Sequence, residues 1–398
     1  MESVLKDTAA LTLSGIIRAI EEMGESLIAG GLESDKNASD PSENLSLLAS
    51  IKSQAVNIPE KFGGIWSGSG FDAWSSYVQL ETLISSFDGP TGQNWGTTGM
   101  VCRELLDAET ELPDSTKAEI ASRVLDEGLR LCASNSEAGS PRPVIAKKVP
   151  GGLRVNGVKT FNTNSGGQGM ASVGCPVEGE EGRYHVLVDL KAPGVRLHHD
   201  WDVIGQRGTY SQTITYDDVF VPDGWFYAAP KPHPARGSSV MMVHAALMLG
   251  IGQGAFRETV RYLHKTQRVM LPGYSRSAED PVLVAKLGGI STELAAAEAL
   301  LNQVARRIDT FGQDSDPEDL AVSGYRTKVA CVEAALRASA EVIEFTGARG
   351  ASSKYALDRY WRNARTFASH DPTEAKKAYV GSFELTGKLP ERAEFLRI

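Results

Sequence analysis

Two long runs of regularly spaced apolar residues in the C-terminal half constrain the fold more than any other feature of the chain. In residues 283–311 and 322–343, apolar side chains recur at spacings of 4 and 3 over several helical turns. That spacing is typical of a helix that buries one continuous stripe against its neighbours. Polar residues 314–318 lie between the two runs. We therefore predict two long helices, joined by a short connection, within a four-helix bundle.

The hydrophobic period changes twice along the chain, and these changes divide it into three parts. Residues before about position 125 follow a helical pattern, which is clearest at 13–27. Between about 130 and 225 the pattern alternates, and Gly and Pro interrupt it at short intervals, as in a small barrel or sandwich. The predicted fold class is α+β. The predicted domains are an N-terminal helical domain (1–127), a central small β-barrel domain (128–232) and a C-terminal four-helix bundle (233–398).

The central part contains several separate strand candidates. The clearest are residues 184–190, 195–199 and 212–221. A further alternating run ends at Asn156 and Gly157, and an Asn-Gly pair is a strong signal of a tight hairpin turn. We therefore predict that the chain reverses direction at Asn156 and Gly157.

Charge and composition argue against several classes of function. The 398 residues carry a formal net charge of −9, which disfavours nucleic acid or an anionic membrane as the general partner. The four cysteines lack CxxC spacing and the histidines form no HExxH motif, so no metal site is expected. The first residues lack the segments of a signal peptide, and no apolar run reaches about 18 residues. A cytoplasmic protein without a membrane span is therefore expected.

One short stretch combines residue types that can carry acid–base chemistry. His370 and Asp371 follow a cationic segment at 357–365, and Pro372 disfavours helical backbone at Asp371. The preceding helix is therefore expected to end here. An ordinary helix end with solvated polar residues would show the same pattern, so this stretch alone does not decide between a structural and a catalytic role.

Five motifs occur along the chain in an order that is informative. They lie at residues 58–64 (IPEKFGG), 134–140 (SNSEAGS), 152–164 (GLRVNGVKTFNTN), 205–211 (GQRGTYS) and 218–222 (DVFVP). In this order they resemble the motifs of the acyl-CoA dehydrogenase fold. The resemblance implies the same sequence of helices, β domain and helical bundle that the hydrophobic period indicates.

The resemblance also implies a flavin site, built largely by the central domain. Phe161 would stack on the isoalloxazine ring and Thr163 would lie near its N5 atom, in a segment that ends at Asn164. Ser134 would face the pyrimidine edge, and Ser140 would contact the cofactor phosphate. For each residue, a position in the core or a turn of the β domain is the structural alternative.

Further cofactor contacts are implied in the helical bundle. Arg268 resembles the family's arginine that reaches the cofactor diphosphate of a neighbouring subunit. Gly347 and Gly350 resemble the turn on the adenine side of the cofactor. A helix-end charge and a helix C-cap are the structural alternatives. The resemblance further implies a homotetramer.

The departures from the dehydrogenases concern the reacting groups. A dehydrogenase needs a carboxylate to remove the proton next to the thioester, and His370 and Asp371 stand where that family has a Tyr-Glu pair. The segment instead resembles the two-component flavin monooxygenases, which include the dibenzothiophene monooxygenase type, the aryl hydroxylases and the amino-sugar N-oxygenases. This implies reduced FAD or FMN from a separate NAD(P)H-flavin reductase, together with O2. His370 would lie near the flavin and titrate near neutral pH, and Asp371 would orient His370 or cap a helix.

Two other functions stay open at this point. An acyl-CoA dehydrogenase or related oxidase would use Asp371 as its base, and a non-catalytic flavin-fold protein would act through its surface. In an oxygenase, the substrate pocket is expected beside Asn94, Trp95 and Met241, the last an adaptable apolar side chain. An aromatic or heterocyclic compound and a small amine would fit such a pocket equally well.

Overall fold

The N-terminal third of the chain is helical. The structure is a computed structural model that describes residues 11–390 except Gln168 and Pro232, so the prediction about the first residues lies outside the described part. Its first helices are α1 (Leu13–Glu22), α2 (Gly24–Asn37), α3 (Ser42–Ser50), α4 (Trp74–Phe87), α5 (Gly89–Leu105) and α6 (Asp114–Asp126). The prediction of a helical N-terminal part is confirmed.

Helices α4 and α5 pack close together because α5 carries glycine where it faces α4. A Cβ added at Gly96 would lie 2.4 Å from Oε2 of Glu81, and one added at Gly99 would lie 2.9 Å from the Tyr77 ring. The Tyr77 hydroxyl donates to the carbonyl oxygen of Gly96. These glycines therefore serve close helix packing. Asn94 points the other way and donates through Nδ2 to the carbonyl oxygen of Gly208 at 3.1 Å.

The central part is built from short strands in two sheets. The described strands are β1 (Leu131–Ser134), β2 (Ile145–Val149), β3 (Gly152–Asn162), β4 (Met170–Cys175), β5 (Tyr184–Asp189), β6 (Val195–Leu197), β7 (Gln212–Pro222) and β8 (Phe226–Ala228). They form two four-stranded sheets, of order β1-β4-β5-β8 and β2-β3-β7-β6. Apolar residues of both sheets share one core. The predicted closed barrel is wrong for the described strands, because each sheet ends in its own edge strands.

The predicted hairpin at Asn156 and Gly157 is also wrong. Strand β3 runs through both residues, and its register against β7 shifts between Val155 and Gly157, which is a β-bulge. Gly157 has φ +139°, and a Cβ there would lie 2.4 Å from Cα of Val144. The glycine is therefore required by the bulge and by a close backbone approach. The chain turns earlier, between β2 and β3, where Gly151 has φ +81°.

Long helices make up the C-terminal part. They are α7 (Arg236–Thr266), α8 (Pro281–Asp309), α9 (Pro317–Gly350), α10 (Asp358–Phe367) and α11 (Thr373–Thr386). Helices α8 and α9 are the two long helices that the apolar spacing predicted. Helix α7 packs between α4 and α9, and α4 also contacts α8, so an N-terminal helix contributes to the bundle. The changes of secondary structure after Asp126 and at Arg236 lie near the predicted limits, and the division into three domains stays a prediction.

Helix α7 contains a long apolar stretch. By length and composition it could cross a membrane, and no other helix in the described ranges could. However, 78% of its most apolar window is buried inside the protein. Met242 and Met248 are among its fully buried side chains. Core packing therefore accounts for the hydropathy of this helix.

Candidate active site

His370 and Asp371 lie in the turn between α10 and α11. Helix α10 ends at Phe367, and α11 begins directly after Pro372. The backbone N–H of His370 donates to the carbonyl oxygen of Phe367 at 3.0 Å, which makes the turn tight. The prediction that a helix ends just before Asp371 is confirmed.

Three aromatic rings meet at this turn. The rings of His370 and Phe367 are stacked, with centroids 5.4 Å apart. His244 of α7 approaches both rings edge-on, with its centroid 4.9 Å from that of His370 and 5.3 Å from that of Phe367. Its Nδ1 atom is buried and has no hydrogen-bond partner among the described residues. Sequence reasoning missed His244, because a single histidine on an apolar helix carries no pattern of its own.

Asp371 is paired inside the protein. Its Oδ1 atom accepts a hydrogen bond from Nζ of Lys376, in α11. The side chains of Lys376 and Asp371 are only 4% and 5% exposed. The other carboxylate oxygen of Asp371 has no hydrogen-bond partner within the described ranges. Asp371 is therefore held by Lys376 and makes no direct hydrogen bond to His370, so the role of orienter through such a bond is not supported.

A second buried lysine lies against the Phe367 ring. Nζ of Lys328, in α9, is 5.2 Å from the ring centroid, and the residue is 2% exposed. Its ammonium group has no hydrogen-bond partner in the part of the chain that the structure describes. Burial lowers the pKa of Lys328 to about 8, while the charge of Asp371 acts in the opposite direction. Nothing in the sequence marks this residue, since lysine is common in helices.

Desolvation and nearby charges both act on the protonation of His370. Its pKa is lowered to about 4, first by burial and then by the charge of Lys328, while Asp371 opposes the shift. The side chain of His370 is exposed to solvent, and the lowering of its pKa comes from the protein atoms packed around it and from the nearby ammonium groups. The prediction that His370 titrates near neutral pH is not supported, because desolvation and two ammonium groups outweigh the single carboxylate of Asp371. At neutral pH the ring is therefore uncharged, with one N–H donor and one acceptor nitrogen.

The predicted stacking residue, Phe161, is presented by a bulge near the end of β3. The register of β3 against β7 shifts between Lys159 and Asn162. Phe161 itself has φ +53°, which is uncommon for a residue other than glycine. Its ring is 56% exposed and lies edge-to-face with Trp201 at 6.1 Å between centroids. A bulge is a usual way to re-aim one side chain, and here it turns an aromatic face outwards.

Hydroxyl groups lie close to this bulge. Oγ1 of Thr163 and Oγ of Ser211 are 2.9 Å apart, and Oγ of Ser211 is also 2.9 Å from Oγ1 of Thr209. A flavin ring has an apolar face and polar edges, for which an exposed aromatic ring and adjacent hydroxyl groups are suitable partners. The fold thus joins the predicted residues Phe161 and Thr163 to the predicted 205–211 motif, and together they fit a flavin.

The predicted phosphate loop is also shaped for close approach. Gly139 has φ +71°, and a Cβ there would meet nothing within 4 Å. The neighbouring Ser140 donates to the carbonyl oxygen of Val158 at 2.8 Å. An open glycine loop beside a hydroxyl group is compatible with a phosphate.

Two other predicted cofactor residues have their side chains engaged internally. Ser134 is fully buried, and its hydroxyl hydrogen-bonds to Oδ1 of Asn162 and to the Tyr216 hydroxyl. Asn164 is also buried, and its Oδ1 accepts from Nε of Arg130 at 2.8 Å. In this structure both side chains stabilise the β domain, and their flavin contacts stay predictions.

Trp95 and Met241, two predicted substrate residues, are core residues here. Trp95 donates through Nε1 to Oγ of Ser53 at 2.9 Å and is almost fully buried. Met241 is completely buried, and its Cε is 3.3 Å from the place of a Cβ added at Gly324. The fold does not bring these two side chains to the Phe161 surface. It does bring Asn94 to the 205–211 turn, through the bond to Gly208.

Arg268 and Gly347 meet at the end of α9. Nη1 of Arg268 donates to the carbonyl oxygens of Glu344 and Phe345 at 2.7 and 2.6 Å. Gly347 has φ +66° and ψ −170°, outside the helical region, and a Cβ there would lie 2.7 Å from the Arg268 guanidinium. Gly350 ends the same helix. The fold thus unites these predicted residues, and Arg268 here covers helix-end carbonyls.

Cavity size does not locate the site. A cavity of about 480 Å³ lies between α3 and the end of α6, lined among others by Ser46 and Glu127, and none of the predicted site residues lines it. No group of three or more His, Cys, Asp or Glu side chains in the described ranges is placed to hold a metal ion. The arrangement of side chains at His370 and Phe161 is therefore the better guide.

Comparison with known proteins decides the kind of enzyme. Residues 242–374 match the family described as acyl-CoA dehydrogenase, C-terminal domain. TdsC of Paenibacillus sp. A11-2, solved with FMN and indole, superimposes with a TM-score of 0.85 at 23% identity, over 96% of this chain and 100% of TdsC. That likeness shows the fold. In sequence, dibenzothiophene monooxygenase of Rhodococcus qingshengii is 28% identical over 356 residues, 84% of each chain. The chain is a flavin-dependent monooxygenase of the acyl-CoA dehydrogenase superfamily.

A second relative agrees with this assignment. SfnC of Pseudomonas putida, a probable FMNH2-dependent monooxygenase, is 29% identical over 259 residues, which are 62% of this chain and 66% of SfnC. In the present monooxygenase, sequence motifs led to Phe161, Thr163 and His370. They could not lead to His244 or Lys328, whose importance appears only when α7, α9 and the turn after α10 come together.

Proposed function

We propose that this monooxygenase is the oxygenase component of a two-component system. It takes reduced FMN or FAD from a separate NAD(P)H-flavin reductase, and uses O2 to place one oxygen atom on a small aromatic or heterocyclic substrate. The second oxygen atom leaves as water. The observation that carries the proposal is the turn at His370, where the imidazole is stacked on Phe367 while the adjacent carboxylate is held by Lys376.

The same observation opposes the dehydrogenase alternative. A dehydrogenase would need Asp371 as a base that reaches the substrate. The residue is only 6% exposed, and freeing it would leave the buried ammonium of Lys376 without its partner. Breaking a buried ion pair by removing one partner is costly. Proton abstraction by Asp371 is therefore disfavoured.

The residues of this chain have distinct roles in the proposed reaction. When bound, reduced flavin supplies the two electrons with which O2 is activated. Phe161 would cover one face of the ring system, and the hydroxyls of Thr163 and Ser211 would hydrogen-bond at its polar edge. His370 would donate an N–H hydrogen bond towards the oxygen. Because the imidazole is uncharged, it would hold the oxygen without the surplus proton that promotes loss of hydrogen peroxide.

The proposed substrate class rests on the relatives and on the wall near His244. Dibenzothiophene and indole, named for the relative and for the TdsC complex, are both aromatic heterocycles. In the present chain, the flat rings of His244 and Phe367 lie together at the His370 turn. Aromatic side chains favour stacked or edge-on contacts with aromatic ligands. These features support an aromatic heterocycle over an aliphatic amine.

We also propose a homotetramer, as the family resemblance implies. Helix α8 buries one stripe and leaves other apolar side chains exposed, with Val282, Val284 and Leu300 exposed by 42%, 46% and 36%. Exposed apolar side chains along a long bundle helix are compatible with a subunit contact. A second copy of the chain would cover it.

Oxygen transfer can be tested directly. The flavin-free protein is mixed without oxygen with photoreduced FMN and indole or dibenzothiophene, and ¹⁸O2 is then admitted. We expect a product that carries one ¹⁸O atom by mass spectrometry. Release of hydrogen peroxide as the sole oxygen product with a broad panel of heterocycles would contradict the substrate class. Reduction of bound oxidised flavin by acyl-CoA without oxygen would contradict the function.

A further inference from the structure

Lys328 occupies a position that the proposed reaction does not itself explain. Its ammonium group is buried, lacks a hydrogen-bond partner among the described residues and lies 5.2 Å from the centre of the Phe367 ring. The imidazole of His370 is stacked on the same ring. An unpaired buried ammonium is costly for folding. A cost of this kind at an active-site turn suggests a role in function.

The titratable groups that act on this ammonium, or on a group that does, come from three helices and the turn. They are His244 of α7, Tyr325 and Cys331 of α9, His370 and Asp371 of the turn, and Lys376 of α11. Burial raises the pKa of Tyr325 and also raises that of Cys331 to about 12, so both are uncharged at neutral pH. The remaining charges are those of Lys328, Lys376 and Asp371. Two positive charges and one negative charge leave one positive charge uncompensated.

We propose that Lys328 is a positioning residue for His370, whose ammonium group beneath the Phe367 ring keeps the imidazoles of His370 and His244 uncharged. A proton on either imidazole would place a second positive charge close to the uncompensated ammonium group of Lys328. Lys328 therefore keeps His370 as a neutral imidazole, which donates one N–H hydrogen bond and lacks the additional acidic proton of an imidazolium. Its positive charge also favours negative charge that develops near His370. The consequence for oxygen transfer rests on the proposed function, whereas the electrostatic effect belongs to the flavin-free protein.

The electrostatic effect can be measured without flavin. Histidine labelled with ¹⁵N is followed by NMR from about pH 4 to pH 10, with His370 assigned by its loss in His370→Gln. In the unmodified protein we expect His370 to be uncharged at about pH 6, and its signals to move slightly near pH 8 as Lys328 loses its proton. The absence of that movement near pH 8 would overturn the inference, and no destabilising variant is needed to see it.

Two substitutions separate charge from packing. Lys328→Met keeps a long side chain but removes the charge, so the protonation midpoint of His370 should rise by at least about one pH unit, a tenfold stronger proton binding. Lys328→Arg keeps the charge, so His370 should stay uncharged, and the movement near pH 8 should vanish because guanidinium does not titrate there. An unchanged midpoint in Lys328→Met, or a persisting movement in Lys328→Arg, would contradict the proposal.

A matched control and an activity measurement complete the test. Lys377, which follows Lys376 in α11, is 40% exposed and paired with Glu333 and Glu374. Lys377→Met should therefore leave the protonation midpoint of His370 unchanged. With reduced FMN and indole, Lys328→Met should release more hydrogen peroxide per product than Lys328→Arg at about pH 6. If the NMR shifts occur without any oxygenation, the proposed function fails and the inference stands. If oxygenation occurs and the midpoint is unchanged, the inference fails alone.

Discussion

His370 is stacked on Phe367 with an angle of 15° between the two ring planes. Phe367 is the last residue of α10, and the His370 backbone N–H donates to its carbonyl oxygen. The imidazole is thus positioned both by its backbone and by its ring. An N–H donor that is already positioned in this way needs no carboxylate to orient it. Asp371 instead pairs with Lys376.

Removal of His370 should uncouple the enzyme. In His370→Ala the N–H donor is lost, so hydrogen peroxide should replace most of the product, while binding of reduced flavin persists. Product by chromatography and peroxide by a dye assay measure this ratio. His264→Ala is a suitable control, because that residue is exposed in the last turn of α7. Full coupling in His370→Ala would show that another group holds the oxygen.

Removal of the Asp371 charge should destabilise the fold. Asp371→Asn leaves the buried Lys376 without an anionic partner, which typically costs about 3 to 5 kcal/mol of unfolding free energy. Adding Lys376→Met to the same chain should recover part of that loss, because the ammonium group of Lys376 is then no longer buried without its partner. Urea unfolding of the three proteins gives the comparison. Equal stability of the single variant and the unmodified protein would refute the importance of this pair.

Loss of the Phe161 ring should weaken flavin binding but not folding. Phe161→Ala removes an exposed ring, so the binding free energy of reduced FMN should weaken by about 1 to 3 kcal/mol if base stacking is a fair guide. Phe220→Ala is the matched control, since Phe220 is also exposed (43%) and lies in β7 of the same part of the chain. Equilibrium titration should separate the two variants, and equal affinities would mean that Phe161 is not at the flavin.

The stability of the protein should rise with pH in the alkaline range because of Lys328. Its folded-state pKa of about 8 lies below the ordinary value, so the unfolded state binds more protons between about pH 8 and pH 10.4, and the unfolding free energy increases across that window. At neutral pH, Lys328→Met should therefore be the more stable protein, by roughly 3 kcal/mol at most. Chemical unfolding at several pH values tests this, and a parallel pH dependence in Lys328→Met would assign the effect elsewhere.

The lowered pKa of His370 should also make the protein more stable as the pH rises, but in a more acidic range than Lys328 does. Its folded-state pKa of about 4 lies below the ordinary histidine value near 6.5, so the unfolded state binds the extra proton first as the solution is acidified. The contribution of His370 to the unfolding free energy is constant above about pH 6.5 and should fall progressively towards pH 4. Comparison of the unmodified protein with His370→Gln over this window isolates it. An identical acid response of the two proteins would argue against a depressed pKa.

Disruption of the exposed face of α8 should alter assembly. In Leu300→Glu a charge is placed on the apolar surface that we propose to be covered by another subunit, so the mass by light scattering should fall from that of a tetramer. Leu385→Glu is the control, because Leu385 is 88% exposed near the end of α11. A monomeric unmodified protein at micromolar concentration would refute the tetramer itself.

The local spacing of residues in the sequence was sufficient to predict the elements that are set by residues close together in the chain. Helices α8 and α9 follow from apolar spacings of 4 and 3, and β7 follows from alternation, because the periods of helix and strand are properties of the backbone. The flavin motifs also lie in short segments, so Phe161 and Thr163 could be proposed from sequence. The hairpin at Asn156 and Gly157 failed, because the same pair also suits a bulge when Val144 approaches closely.

The chemistry of the site depended on contacts between distant residues. The sequence shows that His370 and Asp371 are adjacent, but it does not show that Asp371 pairs with Lys376 or that His244 and Lys328 lie against the same ring. Desolvation and charge act through space and fall off with distance in the folded protein. For this reason the sequence determined the fold class and the location of the His370 turn, whereas only the tertiary structure placed Asp371 in a buried pair with Lys376 and Lys328 against the ring on which His370 is stacked.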